Sequence, residues 1–309
     1  MGVMRIPDFF LIGAPKCGTT ALYTYFASHR GIFMPSVKEP HFFSLDLPGL
    51  RKIVDQEEYC GLFAHAARYA KVGEASASYL FSKVAVKEIL RLNADARFVA
   101  ILRNPIEMAY ALHSERVRSL SENALDFEQA WLLQEDRRQG RFLPSHPEPR
   151  MLQYRDLCRF GEQLELFFQS VPRKQRAVYI FEDFQHDPGK IYREILGFLD
   201  LADDGRSEFP HVNANSVLRR RWLAQIHGVS RAFLKRRGWY TPAKRAANAM
   251  GWEPSVLVNR WSKVERPRVP LRHGFRQTLA RELEKEVCKV EEVLKRKLDC
   301  WTDWGSNGR

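Results

Sequence analysis

Continuous apolar runs and helically spaced apolar stripes alternate along most of this 309-residue chain. Residues 9–12, Phe-Phe-Leu-Ile, form an unbroken apolar run that predicts a buried strand, and the glycine-bearing stretch behind it leads into a helix predicted from Gly18 to about His29. A second short strand is expected at 31–33, then an irregular surface loop punctuated by Pro35, Pro40 and Pro48, and another short strand at 71–73. Residues 97–102 run apolar into Arg103-Asn104-Pro105, the pattern of a central parallel strand entering a helix with proline in its first turn. Leu157, Phe160, Leu164, Phe167 and Phe168 recur at helical spacing, residues 177–181 read as a further strand, and a helix passes through Ile191, Ile195, Leu196 and Leu199. Near the end, Leu279, Leu283, Val287, Val290, Leu294 and Leu298 mark one face of a long helix closed by Trp301. Strands alternating with helices predict an α/β fold: a P-loop-like, three-layer arrangement with a central parallel sheet flanked by helices. Its ligands belong outside the strands' carboxyl ends.

The turn after the first strand reads Gly13-Ala14-Pro15-Lys16-Cys17-Gly18-Thr19-Thr20. In the nucleotide-triphosphate loop, G-x-x-x-x-G-K-[ST], the lysine follows the second glycine and the next hydroxyl holds magnesium. Here Thr19 occupies the lysine's place, and the lysine stands three residues earlier. The glycines and Pro15 still suit a backbone that wraps an oxyanion, with the first-turn N–H groups and the positive end of the helix dipole aimed at a phosphate. The bland alternative is an ordinary strand-to-helix turn.

Composition narrows the classes. With 45% hydrophobic residues the chain can bury a substantial core, and neither a repeat nor a low-complexity tract divides it, so a single domain over 1–309 is expected. No stretch approaches the roughly 18 apolar residues of a membrane span, no charged N-terminal region precedes an apolar segment, and the expected compartment is the cytoplasm. Met1-Gly2 resembles a myristoylation start, but Ile6 stands where a serine or threonine is required. The five cysteines are odd in number and lack a C-x-x-C pair, which reads as reduced thiols; the nine histidines show no catalytic-metal spacing, and no metal is expected. The net charge of +12 is concentrated: residues 219–272 hold 14 Lys/Arg against two acids, while the rest of the chain balances at 35 against 35. That asymmetry points to a localised anionic partner.

Four segments in this order resemble a sulfotransferase that uses 3′-phosphoadenosine-5′-phosphosulfate (PAPS). They are 14–20 (Ala-Pro-Lys-Cys-Gly-Thr-Thr), 38–43 (Lys-Glu-Pro-His-Phe-Phe), 73–79 (Gly-Glu-Ala-Ser-Ala-Ser-Tyr) and 98–107, which begins with Phe98 and contains Arg103-Asn104-Pro105. The close at Asp299-Cys300-Trp301 also resembles bacterial and heparan-type members. The resemblance implies that Lys16, Cys17, Gly18, Thr19 and Thr20 cradle the donor's 5′-phosphosulfate, that Lys16 reaches the leaving oxygen, and that Arg103 clamps the 3′-phosphate. Such transfer, like phosphoryl transfer, consists mostly of positioning and neutralising charge on oxygens.

An acceptor hydroxyl needs a base. Heparan-type members place a catalytic glutamate two residues before a similar His-Phe-Phe, which implies Glu39; His41 is the rival, since other sulfotransferases use histidine. Lys38, Glu74, Ser76 and Tyr79 are implied on the acceptor side, with Glu74 also a candidate base, and Ala75 stands where heparan-type relatives often carry lysine. The family usually has a serine eight residues after the arginine, and here that residue is Ala111, so one phosphate-binding hydroxyl is missing; Ser114 and His113 are the nearby candidates to replace it. Arg219 and Arg220 are implied beside the 3′-phosphate. Beyond them, a basic amphipathic helical insertion at about 219–272 can lie on an anionic membrane, flank an anionic acceptor or pack on the domain.

The implied reaction moves a sulfuryl group from PAPS to a hydroxyl, or less readily an amine, of a small metabolite, glycan or lipid, leaving adenosine 3′,5′-bisphosphate (PAP). A catalytically weak PAPS- or PAP-binding protein recruited to anionic surfaces is the alternative, and a P-loop kinase is disfavoured by Thr19. No nucleic-acid-reading motif is present.

Overall fold

The computed structural model describes residues 5–144, 148–210, 216–218, 263–265 and 268–302. Its centre is a parallel sheet of five strands, β1 (Phe9–Gly13), β2 (Ile32–Phe33), β3 (Lys71–Ala75), β4 (Arg97–Leu102) and β5 (Arg176–Ile180), in the order β2-β3-β1-β4-β5. From β1 the chain goes to the edge strand β2, returns to β3 beside β1, and then crosses to β4 and β5 on the other side, so the connection reverses at β1. That reversal opens a crevice beyond the carboxyl ends of β3, β1 and β4. Both faces of the sheet are covered: Phe9 to Ile12 and Phe98 to Leu102 are each at most 1% exposed. The unbroken apolar runs follow from that double burial. Gly73, paired with Phe9, is obligatory, because a Cβ there would stand 2.3 Å from the Phe9 ring and 2.5 Å from Met34 Sδ.

The helices are α1 (Thr19–Ala27), α2 (Gln56–Gly61), α3 (Ala85–Leu92), α4 (Pro105–Arg118), α5 (Phe127–Leu132), α6 (Gln134–Arg138), α7 (Tyr154–Leu157), α8 (Phe160–Ser170), α9 (Phe181–His186), α10 (Pro188–Phe198), α11 (His273–Leu294) and α12 (Asp299–Thr302). The first helix is shorter than its pattern suggested, because the Ser28 hydroxyl turns back onto the Thr24 and Tyr25 carbonyls and closes it. The last apolar stripe is not one helix either. Lys295 adopts a left-handed conformation (φ 52°) that ends α11, and Leu298 and Trp301 continue the buried face from beyond the break.

Two docking arrangements position the crevice. Asn104 caps α4, its side chain accepting from Ile106 N at 3.0 Å and Glu107 N at 3.4 Å, with Pro105 opening the helix. Trp301 then staples the chain's end to that cap: its indole donates to Glu182 Oε2 at 3.0 Å, while Glu182 Oε1 accepts the Asn104 N–H at 3.0 Å. Strands β6 (Ser216–Leu218) and β7 (Lys263–Glu265) pair antiparallel at the borders of the basic segment. Arg219, Arg220 and the expected helical insertion lie outside the described residues.

Candidate active site

The loop between β1 and α1 is tied to the neighbouring strand by Ala14 N donating to Ile101 O at 2.7 Å. Lys16 (φ 62°) and Gly18 (φ 91°) are both left-handed, conformations that curl the loop tightly into the start of α1. Gly18 also has rings against it, since a Cβ would lie 3.1 Å from Phe181 and from Phe184. Helix α1 opens without a side-chain cap, so its first turn offers its N–H groups to an anion. Thr19 is 5% exposed and Thr20 is half-buried at that turn. Cys17 departs from the expectation: its thiol points into the core and donates to Pro15 O, its N–H reaches Ala14 O, and burial pushes the thiol pKa up. It shapes the loop. Lys16 Nζ meets Glu115 Oε2 on α4 at 2.5 Å, and Lys16 O accepts from Arg103 Nη1 at 3.3 Å.

A second strained segment faces the crevice from the β3 side. Glu39 (φ 58°) and His41 (φ 51°) flank Pro40 in left-handed conformations that non-glycine residues seldom adopt. The segment is held down by Glu39 N donating to Ala75 O at 2.9 Å, by His41 N donating to Ser76 Oγ at 3.1 Å, and by Lys52 N donating to Pro40 O at 3.0 Å. The Glu39 carboxylate takes Lys38 Nζ at 2.6 Å and lies 3.9 Å from His41 Nε2. Burial opposes its ionisation, but the Lys38 charge and hydrogen bond, with His41 and Lys52, outweigh burial and hold its pKa below the ordinary carboxylate value. His41 is driven the other way, chiefly by burial, to a pKa of about 4. At neutral pH the pair is therefore an ionised, one-third exposed carboxylate beside a neutral, buried imidazole.

Glu74, Ser76 and Tyr79, expected on the acceptor side, are instead buried beneath this segment, at 0% exposure each. They fall there because β3 and the loop after it run inside the core, with Ser76 N bonded to Leu11 O at 3.1 Å and Leu80 N to Ile12 O at 2.8 Å. Glu74 Oε2 accepts from Tyr79 at 2.9 Å and from Tyr59 at 3.1 Å, and burial lifts its pKa to about 7. Glu115, Lys52 and Tyr59 were not singled out from the sequence. Glu115 had a signal, lying one turn beyond Ala111 on the same helix; the other two had none.

The crevice continues to Arg103, whose guanidinium packs over the Phe181 ring at 4.7 Å. Ala111 is buried and offers no donor. Neither nearby candidate replaces it: Ser114 Oγ donates back to Tyr110 O at 2.9 Å, and the buried His113 ring bonds to Ala124 O at 2.8 Å. Beside Arg103 opens a cavity of about 430 Å³, lined among others by Glu107, Tyr110, Arg268 and Arg276.

Comparison with known proteins follows the same lines. A sequence model of the family described as sulfotransferase domain matches residues 6–215. Human carbohydrate sulfotransferase 15 is 28% identical over 148 residues, covering 34% of this chain and 26% of that protein. Human bifunctional heparan sulfate N-deacetylase/N-sulfotransferase 3 is 28% identical over 223 residues, covering 69% of this chain and 24% of that protein. The chain thus spans about a quarter of the length of these curated relatives. In fold it is similar to the crystal structure of a sulfotransferase from Alicyclobacillus acidocaldarius, with a TM-score of 0.69, 24% identity, and coverage of 96% of this chain and 99% of that one.

Proposed function

The chain belongs to the sulfotransferase domain family, and from that premise we propose that it transfers the sulfuryl group of PAPS, in line, to an acceptor hydroxyl or amine and releases PAP. The observation that carries this reading is that Lys16, Glu39 and His41, all left-handed, come from loops fastened to the carboxyl ends of the adjacent strands β1 and β3. Strain of that kind is retained where surrounding structure enforces it, and it clusters at functional sites.

In the proposed reaction the loop amides with Thr19 and Thr20 hold the 5′-phosphate, and Arg103 holds the 3′-phosphate. As the acceptor oxygen bonds to sulfur, the bond from sulfur to the bridging oxygen breaks, and charge develops on that oxygen. The Lys16 ammonium neutralises it. Glu39 takes the acceptor proton; its carboxylate is ionised because Lys38 and Lys52 stand beside it. His41, neutral and buried, positions Glu39, and Glu74, Ser76 and Tyr79 support both from below. Relatives named for carbohydrate and heparan sulfate favour a glycan acceptor over a small metabolite or lipid. Contact with an anionic membrane rests on the charge of residues 219–272 alone.

The test is thermal stabilisation by PAP together with transfer of label from sulfur-labelled PAPS to a panel of glycans, lipids and small amines. Glu39→Gln is expected to lower kcat by about 10²-fold or more, as loss of a general base does, and His41→Gln by less. Magnesium-dependent turnover of ATP without stabilisation by PAP would overturn the reading.

A further inference from the structure

The loop between β1 and α1 already meets an anion, and the chain itself supplies it. Residues 13–20 carry a single ammonium, Lys16, whose Nζ lies 2.5 Å from Glu115 Oε2 on α4, 99 residues further along the sequence. The two side chains are 24% and 41% exposed, and an ion pair open to water to that extent contributes little to folding. What the pair does is occupy the one cation of the loop.

Helix α4 brings the carboxylate there. Asn104 caps the helix and Pro105 opens it directly beyond Arg103, so it starts at the Arg103 end of the crevice. Glu107, Ala111 and Glu115 then recur at four-residue spacing, and the eight residues from the first to the last advance about 12 Å along the axis. The two carboxylates of this row are neutralised differently. Glu107, lining the cavity beside Arg103, has Arg276 at 2.8 Å, whereas Glu115 is met by Lys16. The first turn of α1 offers neutral N–H donors that no side chain caps, so an incoming phosphosulfate meets them directly. At Lys16 it meets a second anion. Two anions cannot both hold one ammonium without repelling each other, and the half-open Glu115 side chain is the one free to turn to water.

Resting on the sulfotransferase reading, we propose that Glu115 and the donor's 5′-phosphosulfate exchange places at Lys16 in each turnover. On donor binding the pair between Lys16 and Glu115 breaks, and Lys16 turns to the bridging oxygen. After transfer that oxygen keeps the electron pair of its broken bond to sulfur and is held by Lys16. The Glu115 carboxylate competes for the same ammonium, and its recapture of Lys16 frees PAP. Glu115 is thereby a product-release residue. The exchange also keeps Lys16 from strengthening ground-state binding, since the contact made to the donor is offset by the one broken to Glu115. Interactions that grow only in the transition state are the ones that raise kcat.

The experiment is calorimetric titration of the wild type, Glu115→Gln, Lys16→Met and the double variant with PAP and with adenosine 3′-phosphate, which lacks the 5′-phosphate. The rate of PAP dissociation is followed alongside by stopped-flow displacement. Glu115→Gln is expected to tighten PAP by about threefold to fivefold, the worth of an exposed ion pair that no longer competes. The gain is expected in a slower dissociation rate, with adenosine 3′-phosphate affinity unchanged. In the Lys16→Met background the same substitution is expected to change PAP affinity by less than about twofold, the non-additivity of two residues in contact. The melting temperature without nucleotide is the control for folding. Unchanged PAP affinity and dissociation rate in Glu115→Gln, with a wild type that binds PAP tightly, overturn the exchange and leave the sulfotransferase reading standing. Weaker PAP binding also overturns it, since Glu115 then holds Lys16 in place for the ligand. An equal gain in the Lys16→Met background overturns it as well, because plain repulsion of the phosphate needs no ammonium. A wild type that binds neither nucleotide overturns both proposals.

Discussion

The two ends of the crevice are built by different means. At the Lys16 end the anion-facing groups come from one short stretch, 16–20, and their placement is a matter of backbone conformation: two left-handed residues and an uncapped helix start. At the Arg103 end the groups are side chains assembled from distant places, with Arg103 following β4, Phe181 opening α9 and Arg268 preceding α11. A site made by local backbone is rigid and hard to improve, whereas one made by docked side chains depends on everything that docks them. On the proposed reading the first governs the chemical step, and the second governs affinity and choice of nucleotide.

The largest effect that tests this division is at Lys16. Lys16→Met is expected to lower kcat by about 10²–10³-fold, the usual consequence of losing one preorganised donor to a developing oxyanion, while PAP affinity measured by titration changes only a few-fold. The lost partner, Glu115, is 41% exposed on its side chain and can turn to water, so folding is little affected. If PAP affinity collapses while kcat at saturation is retained, the two ends do the same kind of work and the comparison fails.

The same division decides what could be read in the sequence. Residues 13–20 and 97–105 are contiguous, so strand, turn and helix start were legible in order, and the parallel sheet followed from the apolar runs. The direction of the Cys17 side chain was not legible, because a residue inside a phosphate-wrapping loop can point either way, and only tertiary packing sends its thiol to Pro15 O. The burial of Glu74, Ser76 and Tyr79 was not legible for a related reason. Sequence order shows that they follow β3, while their burial depends on Ser76 and Leu80 running alongside β1.

A smaller effect, read in stability, separates the two ends by pH. The base-bearing loop rests on Glu74, whose pKa is lifted by burial from 4.5 to about 7. Between those values the native state retains a proton that the unfolded chain has released, so this contribution to stability is complete below about pH 4.5 and is lost as pH rises through 7. His41, lowered by burial from 6.5 to about 4, acts oppositely and removes stability as pH falls through that window. Glu74→Gln keeps a polar group for Tyr59 and Tyr79 but cannot ionise. Its melting temperature relative to wild type is expected to rise by a few degrees between pH 5 and pH 8, as followed by scanning calorimetry. A difference that is flat with pH would show that the loop does not sit on a titrating acid.

The smallest effect bears on how the second end was assembled. Position 111 lies one helical turn before Glu115, which reaches Lys16, and eight residues after Arg103, on the helix that borders both ends of the crevice. Ala111→Ser is expected to tighten PAP by about threefold to tenfold, the worth of one hydrogen bond near 1 kcal/mol. The opposing outcome is built into the helix: a serine here can fold back onto its own i−4 carbonyl, as Ser114 does onto Tyr110 O at 2.9 Å. Titration of both proteins with PAP decides between them, and an unchanged affinity is the outcome that puts the serine on its own i−4 carbonyl.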